Sequence, residues 1–577
     1  MTSRRLRRVA IRVAGAAAAL VALWMAWAVV TVVWAALDAR AGRDAAEQAR
    51  DTAFDDLSSP DAVADLRRAR SRFLSAHDRL DTAATLPVRL LPVIGRQVRS
   101  VDAVSVGAAH VSAVSARALA DVQEALKPEH SSGPGRVRLL QRLAEIATTA
   151  EGDLGDVELG PVHLFGPVAG ARSRLADEVA ELRQGLRRGA AGASAAADLL
   201  QGPSRYLVLA ANNAEMRSGG GMLLSAGVLQ AEGGVLSVTP FRPTAELGLP
   251  PGAVPLEGDL ADRWGWLQPN QEWRNLGVSP RFDVTAPLAA RMWEATGGGP
   301  VDGVLVVDVA ALRAVLSAVG PVTVDDRTVD ADTVEETLLH GQYVEHAGDA
   351  DEEARREELG PIAGSVLTAL QSRDWNASVL GRALAEAAGG RHVLAWSSRP
   401  VEQEGWEAAG IDGSMRPDSL LVGVLNRGGN KLDRFLDVAA DLDIGVSNGR
   451  SEGVLRLRLR NDVPVGEPPY VAGPEPNGAG AEGEYVGIVA VTLPADARNG
   501  RIDGVPSLAV VGGDGPTRVV GATVSVARGA ERSLVVRFDM PDEPRELRVE
   551  PSARLPAIAW SSGGSEWRDD RARIVRW

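Results

Sequence analysis

The clearest pattern of apolar and polar positions lies at the start of the chain. Residues 13–37 carry no charged side chain, whereas the residues before them carry five arginines. A helix crosses the ~30 Å apolar core of a bilayer with about 20 residues, and the apolar region of a cleaved signal has only ~7–15. We predict an uncleaved single-pass transmembrane helix over residues 13–37. The arginines predict a cytoplasmic N-terminus, residues 1–12, and an extracytoplasmic location for the bulk of this cell-membrane protein.

Residues 38–200 repeat apolar positions at intervals of three and four, as at Val63 and Leu66. This spacing is typical of amphipathic helices. Pro87 and Pro92 interrupt the pattern, because proline ends or kinks a helix. We predict a helical extracytoplasmic region in the form of an antiparallel bundle or stalk. A solvated polar face is the preferred interpretation of its arginines, and a basic membrane-binding face is the alternative.

From residue 204 onward, short apolar runs alternate with helical segments. The run "RYLVLAA" predicts a buried strand, and Gly233–Gly234 predicts the turn of a hairpin. The segment "VDGVLVVDVAALRAVLSAVGPVTV" predicts a strand, a helix and another strand. We therefore predict a central α/β domain over residues 204–436, in which helices flank one sheet.

Residues 437–577 change to strict alternation. In "VLRLRLRND" leucines take one face of a strand and arginines take the other, which is typical of a half-buried antiparallel strand. The alternating positions are Leu455, Leu457 and Leu459 against Arg456, Arg458 and Arg460. Similar segments separated by turn residues predict a C-terminal antiparallel β-sandwich domain.

Composition narrows the class of protein. A chain of 577 residues is too long for one core, so the chain is multi-domain. The net charge of −14 argues against a nucleic-acid partner, which needs a basic face. The absence of cysteine excludes disulfides, thiolate zinc sites and cysteine nucleophiles. Only two lysines stand against sixty arginines, which suggests a GC-rich genome.

The stretch "NNAEMRSGGG", residues 212–221, breaks two apolar runs with polar residues and glycines. An Arg fork beside backbone N–H groups can cradle a phosphate or carboxylate. Asn212, Asn213, Glu215 and Arg217 are therefore candidate ligand-binding residues. The alternative is a glycine hairpin in which Arg217 pairs with Glu215 or lies on the surface. The residues alone favour neither interpretation.

A second candidate is residues 340–358, which combine two histidines with many acids. Asp349, Asp351 and Glu352 could hold Mg²⁺ through water. We favour a solvated helix start, where acids interact well with the helix dipole. The histidines lack a third ligand at metal spacing, so no zinc site is predicted.

The stretch "YLVLAANNAEMRSGGGMLLSAGVLQAEGG" resembles the signature of the domain-of-unknown-function 4012 family, in which a strand, Asn-Asn-Ala-Glu-Leu/Met-Arg and a Gly-Gly step precede a second strand. Further similarities are residues 301–324, "LHGQYVEH", and "LLVGVLNRGGNKLDRFLD" with Asn426, Lys431 and Asp433. The resemblance covers roughly residues 60–577. It implies an anchored bacterial envelope protein with a part in surface-polysaccharide export or assembly.

The central domain also looks similar to the LytR-CpsA-Psr phosphotransferases, which move a glycopolymer from a polyprenyl pyrophosphate onto peptidoglycan with Mg²⁺. Their Arg-Ser-Asp-Thr strand start aligns with "RSGG", so Arg217 matches the Arg and Gly219 replaces the Asp. Their Gly-Asp-x-x-Arg-x-x-Arg helix aligns with "GDADEEAR". There Asp349 and Arg355 match, and Glu352 replaces the first Arg.

We expect a non-catalytic, membrane-anchored extracytoplasmic protein without a cofactor. It would bind a glycopolymer, a lipid-linked precursor or an envelope partner protein in cell-envelope or surface-polysaccharide assembly. The alternative is a LytR-CpsA-Psr-like phosphotransferase acting on a polyprenyl-pyrophosphate-linked glycopolymer. Under that alternative Arg217, Asp349 and Arg355 are the catalytic candidates, Arg356 is a further ligand-binding residue, and Mg²⁺ is the cofactor.

Overall fold

The computed structural model divides the chain into two compact units. One unit comprises Met1–Pro128 with Arg138–Ser194, and the other comprises Glu129–Val137 with Ala195–Trp577. The structure describes residues 3–91, 93–127, 132–160, 166–324, 327–345, 359–372, 375–447, 450–474, 480–541 and 545–577.

The first unit is helical, as the apolar spacing predicts. Its first helix extends from Ser3 to Asp55, so the predicted span at 13–37 is one part of a longer helix. The second helix begins where the Ser59 hydroxyl accepts a hydrogen bond from the Asp61 amide. The helices that lie wholly or mostly in this unit are α1 (Ser3–Asp55), α2 (Pro60–Leu80), α3 (Leu86–Arg89), α4 (Ile94–Ala125), α5 (Gly133–Gly155) and α6 (Gly166–Gln201).

Two helices of the described chain are long and apolar enough to cross a membrane, namely Leu23–Phe54 within α1 and Ile94–Ala125. Length and composition alone are weak evidence for membrane association, since the core helix of a soluble protein can pass the same test.

A six-stranded sheet forms the centre of the second unit, and helices pack around it, as predicted for an α/β region. Its strand order is β3-β2-β1-β5-β8, and β4 pairs with β2. β1 and β5 are parallel, whereas the other pairs are antiparallel. The β2–β3 hairpin turns at Gly233–Gly234 as predicted. The strands are β1 (Ser204–Arg217), β2 (Gly220–Glu232), β3 (Val235–Val238), β4 (Arg242–Pro243), β5 (Gly303–Val307) and β8 (Val393–Ser397), with a separate pair β6 (Val322–Val324) and β7 (Arg327–Val329).

Helices and short turns cover this central sheet. Trp264 and Trp273 are fully buried in a core with Leu207 and Leu209 of β1. One π turn, Thr337–Gly341, interrupts the helical segment before Gln342. The helices are α7 (Gly258–Trp264), α8 (Phe282–Ala295), α9 (Val309–Val319), α10 (Val334–Glu336), α11 (Gln342–Glu345), α12 (Leu359–Ser372), α13 (Ala377–Gly389), α14 (Pro400–Ala409) and, later in the chain, α15 (Pro469–Ala472).

The C-terminal region forms two further six-stranded sheets whose inner faces share one core. We call them the β11 sheet, ordered β13-β16-β11-β10-β18-β19, and the β12 sheet, ordered β14-β15-β12-β9-β17-β20. The strands are β9 (Ser419–Asn426), β10 (Leu436–Ser447), β11 (Arg450–Asn461), β12 (Tyr485–Leu493), β13 (Arg498–Ile502), β14 (Val510–Asp514), β15 (Thr517–Val526), β16 (Glu531–Met540), β17 (Glu546–Val549), β18 (Ala559–Ser562), β19 (Ser565–Arg568) and β20 (Arg573–Arg576).

Two details differ from the predicted antiparallel sandwich. β10 pairs with β18, and β17 pairs with β9, in parallel. β9 lies before residue 437 and yet pairs with β12 and β17. Both differences have the same cause, since long connections bring distant strands side by side.

The two faces of these sheets meet different surroundings. Ile488 and Ala490 of β12 belong to the central core, whereas Val489 and Val491 face the core between the two sheets. Strand β12 is therefore covered on both faces. On β11 the leucines predicted to face inward are buried and the intervening arginines are exposed.

Candidate functional site

The polar stretch after "YLVLAA" continues a strand as far as a tight turn, so its backbone is the glycine hairpin of the alternative interpretation. β1 extends to Arg217, the turn is Ser218–Gly219, and β2 begins at Gly220. The β1–β2 register shifts twice, between Ala210 and Ala211 and again before Met216. Such bulges re-aim side chains. The side chains of Asn212, Asn213, Glu215 and Arg217 are accommodated in the interior because each of them meets a polar partner there.

The three glycines of the stretch allow close packing of backbone. A Cβ on Gly221 would lie 2.6 Å from the carbonyl carbon of Asn212. Gly220 has a φ of +135°, which L side chains rarely adopt. A Cβ on Gly219 would lie 2.9 Å from the carbonyl oxygen of Ser279. The fold of this hairpin therefore explains the glycines without a ligand.

The two asparagines connect β1 to neighbouring elements. Asn212 donates a hydrogen bond to the Tyr343 hydroxyl, and its own side-chain oxygen accepts from the Ala214 amide at 2.8 Å. Asn213 donates to the Asp308 carboxylate at 2.8 Å and to the Ala553 carbonyl at 2.9 Å. Both side chains are buried.

Asp308 links this network to a helix. One carboxylate oxygen caps α9 by accepting from the amides of Ala310 and Ala311 at 2.9 and 3.2 Å. The other lies 2.6 Å from His392 Nδ1. Burial works against a charged imidazole, but the Asp308 carboxylate outweighs it and raises the pKa of His392.

Glu215 forms a buried ion pair with Lys431. Lys431 Nζ also lies 5.4 Å from the ring centroid of Tyr343 and 4.9 Å from that of Tyr470, within the range of cation–π attraction. One of only two lysines in the chain is thus placed where a carboxylate and two aromatic rings balance its charge.

Arg217 is buried and directs its guanidinium to backbone carbonyls. Nε donates to Arg274 at 3.0 Å, and Nη1 donates to Met216 and Asn426 at 2.9 Å each. Burial lowers the pKa of Arg217 to about 10, and the nearby charge of Arg427 acts in the same direction. The side chain therefore joins β1 to β9.

Asp433 is the centre of the same network and is fully buried. One oxygen accepts from the Met216 amide at 3.0 Å and from Asn426 Nδ2 at 2.9 Å. The other accepts from Arg554 Nη1 at 2.7 Å and from the Tyr485 hydroxyl at 3.2 Å. Local sequence patterns could not reveal this hub, because its partners come from four separate segments.

The sequence-predicted residues are therefore partly brought together. Asn212, Asn213, Glu215 and Arg217 lie in one buried network, whereas Asp349, Arg355 and Arg356 lie outside the described residues, as do His346, Asp351 and Glu352. His340 contacts the carboxylates of Glu336 and Glu467, each at 2.9 Å. Within the described ranges no group of three or more His, Asp or Glu side chains could hold a metal ion.

A small apolar cavity lies beside the motif, at the point where the parallel pairing of β1 with β5 ends. Its volume is about 70 Å³, and its lining includes Asn212, Asp308, Leu312 and Leu339. Gln342 also lines it and is buried, and its side-chain oxygen has no hydrogen-bond partner among the described residues. Ligand pockets usually measure ~300–1,000 Å³, so this cavity can admit only a narrow group.

A much larger groove, about 720 Å³, lies on the β11 sheet. The strand registers explain its shape. Arg458 is opposite Ala439, Ala439 is opposite Ala559, and Ala559 is opposite Arg568. Two alanines thus form a low floor between two arginines. Neighbouring strands are ~4.8 Å apart, so about 14 Å separates the two arginine backbones.

The next row of the groove is polar. Asp441 accepts a hydrogen bond from Ser561 at 2.8 Å and pairs with Arg456 at 2.9 Å. In the row formed by Arg458, Ala439, Ala559 and Arg568, Arg458 lies 3.9 Å from a Glu531 oxygen, and Arg568 donates a hydrogen bond to a backbone carbonyl. The arginine charges of the first row are therefore only weakly neutralised, and Arg458 is largely exposed. The sequence alternation located the arginines on an outer face but could not show the groove.

The geometry defines a multi-domain protein with N-terminal helices, a central α/β region and C-terminal β-sheets. Residues 201–343 match the model of a family described as "Protein of unknown function (DUF4012)". The matched segment begins just before β1 and ends within α11, so it includes the whole "NNAEMRSGGG" stretch. No curated protein and no solved structure matches the chain. The match supports the resemblance to the domain-of-unknown-function 4012 family over residues 201–343. No activity follows from it, because the function of that family is not known.

Proposed function

We propose that this protein is a membrane-anchored, extracytoplasmic glycopolymer-binding protein that acts without catalysis in cell-envelope or surface-polysaccharide assembly. The observation that carries the proposal is the open groove on the β11 sheet. Its volume of about 720 Å³ falls within the usual range for binding pockets. A groove across several strands suits an extended polymer better than a small compact ligand.

The groove is lined by three arginines and by the two carboxylates of Asp441 and Glu566, and this excess of positive charge suits an acidic glycopolymer. Arg458 and Arg568 present planar guanidinium groups, which bind carboxylates or phosphates through paired hydrogen bonds. Asp441 and Ser561 offer hydrogen-bonding groups for sugar hydroxyls. The floor of Ala439 and Ala559 leaves room for a sugar ring between the arginines.

A non-catalytic role agrees with the contacts and residue types of the "NNAEMRSGGG" stretch. Arg217 would have to contact phosphate in a LytR-CpsA-Psr-like phosphotransferase, and three of its hydrogen bonds already go to backbone carbonyls. Glycine also stands at position 219, where the resemblance implies an Asp. For these reasons we prefer binding to phosphoryl transfer.

Anchoring rests on α1. The uncharged residues 13–37 lie within this helix, and its large side chains Leu23, Trp27, Val29 and Val33 are exposed. An exposed apolar stripe of this length is costly in water and suits a bilayer. The preceding arginines favour a cytoplasmic N-terminus.

The test measures polysaccharide binding by the full-length protein in lipid nanodiscs. The probes are polygalacturonate, which is acidic, and dextran, which is neutral. Ala559→Trp fills the floor of the groove, and Arg458→Ala removes one wall. We expect polygalacturonate to bind, to lose affinity at high salt, and to bind at least tenfold more weakly to either variant.

Two variants on the other C-terminal sheet serve as controls. Thr523→Trp and Arg518→Ala alter exposed positions of β15 and should leave binding unchanged. Failure of both polysaccharides to bind the unaltered protein would contradict the proposed function. Binding that survives Ala559→Trp would show that the groove is not the site.

A further inference from the structure

The segment between α2 and α4 exposes a group of large apolar side chains. Leu90 is 79% exposed and Val93 is 60% exposed. Contiguous exposed apolar side chains mark surfaces that contact a partner or a membrane. We call residues 81–91 and 93–94 the α2–α4 tip. Its exposed apolar residues are Leu86, Leu90, Leu91, Val93 and Ile94.

The tip lies beside the apolar part of α1 because α2 runs antiparallel to α1. A Cβ on Gly42 would contact the Phe73 ring at 3.0 Å. One turn earlier in α1, Asp38 pairs with Arg79, near the end of α2, at 2.6 Å. The chain beyond α2 therefore continues along α1 toward its N-terminus.

The depth of the tip follows from helix geometry. Val88 in the tip belongs to the same buried cluster as Ala28 and Ala35 of α1. Ala28 is ten residues before Asp38, which at 1.5 Å per residue is about 15 Å. If residues 13–37 cross a bilayer with an apolar core of ~30 Å, the tip reaches roughly the middle of that core.

The tip contains two charged side chains, Asp81 and Arg89, and the exposed Arg96 follows it in α4. Arg89 pairs with Asp81 at 2.8 Å and with Asp102 at 3.2 Å, so its charge is balanced within the protein. The Arg79 guanidinium lies 6.0 Å from the ring centroid of Trp34. Tryptophan and arginine are favoured at the membrane interface, which places that interface near Asp38.

We propose that the α2–α4 tip inserts its exposed apolar side chains among the lipid acyl chains beside α1. The protein thus holds the membrane with a second, non-spanning element. The inference rests on the proposed anchoring of α1. α4 also passes the length and composition test for a span, but its Ala108 and Ala109 pack in a cluster with Ala69 and Phe73 of the charged helix α2.

Site-directed spin labelling tests the tip directly. The chain has no cysteine, so one introduced cysteine gives one label. The full-length protein in phosphatidylcholine–phosphatidylglycerol liposomes would carry the label at Leu90→Cys in the tip, at Val29→Cys in α1, or at Val106→Cys in α4. All three positions are exposed. Collisions of each label with oxygen, which partitions into lipid, are compared with collisions with a polar nickel complex.

We expect the labels at positions 29 and 90 to favour oxygen several-fold and the label at position 106 to favour the nickel complex. A lipid-exposed label at 29 together with a water-exposed label at 90 would overturn the tip proposal and leave the anchor intact. Water exposure at 29 would overturn the anchor itself and the tip proposal with it.

Discussion

Replacing Asp433 by Asn perturbs the buried network at its centre while keeping the side-chain volume. The carboxylate accepts four hydrogen bonds, from Met216, Asn426, Tyr485 and Arg554. An Asn amide can accept at only one of its two terminal atoms, so its NH₂ group must face donors. The change also leaves the Arg554 guanidinium without a balancing charge. Both partners of this ion pair are fully buried.

Breaking a buried ion pair from one side costs about 3–5 kcal/mol of unfolding free energy. We expect Asp433→Asn to lose this amount. Arg554→Met should also destabilise, and the double variant should lose less than the sum, with a coupling on the order of 1–3 kcal/mol. Asp441→Asn is the matched control, because Asp441 pairs with Arg456 at a similar distance but at the exposed surface. Such exposed pairs contribute about 0–1 kcal/mol.

Urea unfolding of the full-length protein in detergent micelles, followed by tryptophan fluorescence, measures these differences. Only three of the thirteen tryptophans precede residue 195, so the signal reports mainly the second unit. Equal losses for Asp433→Asn and Asp441→Asn would refute the reasoning. Strict additivity of Asp433→Asn and Arg554→Met would refute the assigned pairing.

Two further predictions concern pH and the motif glycines. Burial raises the pKa of Asp569 to about 6, above the ordinary value of about 4. The contribution of Asp569 to the unfolding free energy is therefore fully present below pH ~4 and is lost as the pH rises through ~6. Asp569→Asn should remove this slope in urea unfolding between pH 4 and 7, and an unchanged slope would contradict the assignment. Gly221→Ala should lower the unfolding free energy by about 1–3 kcal/mol because the added methyl group would meet the Asn212 backbone. Gly248→Ala is the control and should be nearly neutral, because there is open space around Gly248. Equal thermal stability of the two variants would contradict the close packing at Gly221.

Local patterns predicted the elements of this fold well. The alternation at Leu455, Leu457 and Leu459 gave the buried face of β11, since a strand's side-chain period of two is a local property. The strand, helix and strand of residues 301–324 and the Gly233–Gly234 turn were also correct. Each of these features depends on residues close in sequence.

Features that depend on distant residues could not be predicted in this way. The residues of "NNAEMR" left a ligand cradle and a glycine hairpin as equal alternatives, because the sequence does not show that Lys431 lies opposite Glu215 or that Asp433 accepts from the Met216 amide. The groove on the β11 sheet also depends on the pairing of strands that are distant in sequence. Ala439 and Ala559 become neighbours only when β10 and β18 pair in parallel across 120 residues of chain.

The buried charged side chains in the family-matched segment have partners outside that segment. The matched segment, residues 201–343, contains Glu215 and Arg217, but their partners Lys431 and the Asn426 carbonyl lie beyond it. A segment that ended at residue 343 would bury a carboxylate without its cation, which is costly in a protein interior. The stretch "LLVGVLNRGGNKLDRFLD" supplies those partners, so the two similarities noted in the sequence are two halves of one structural unit.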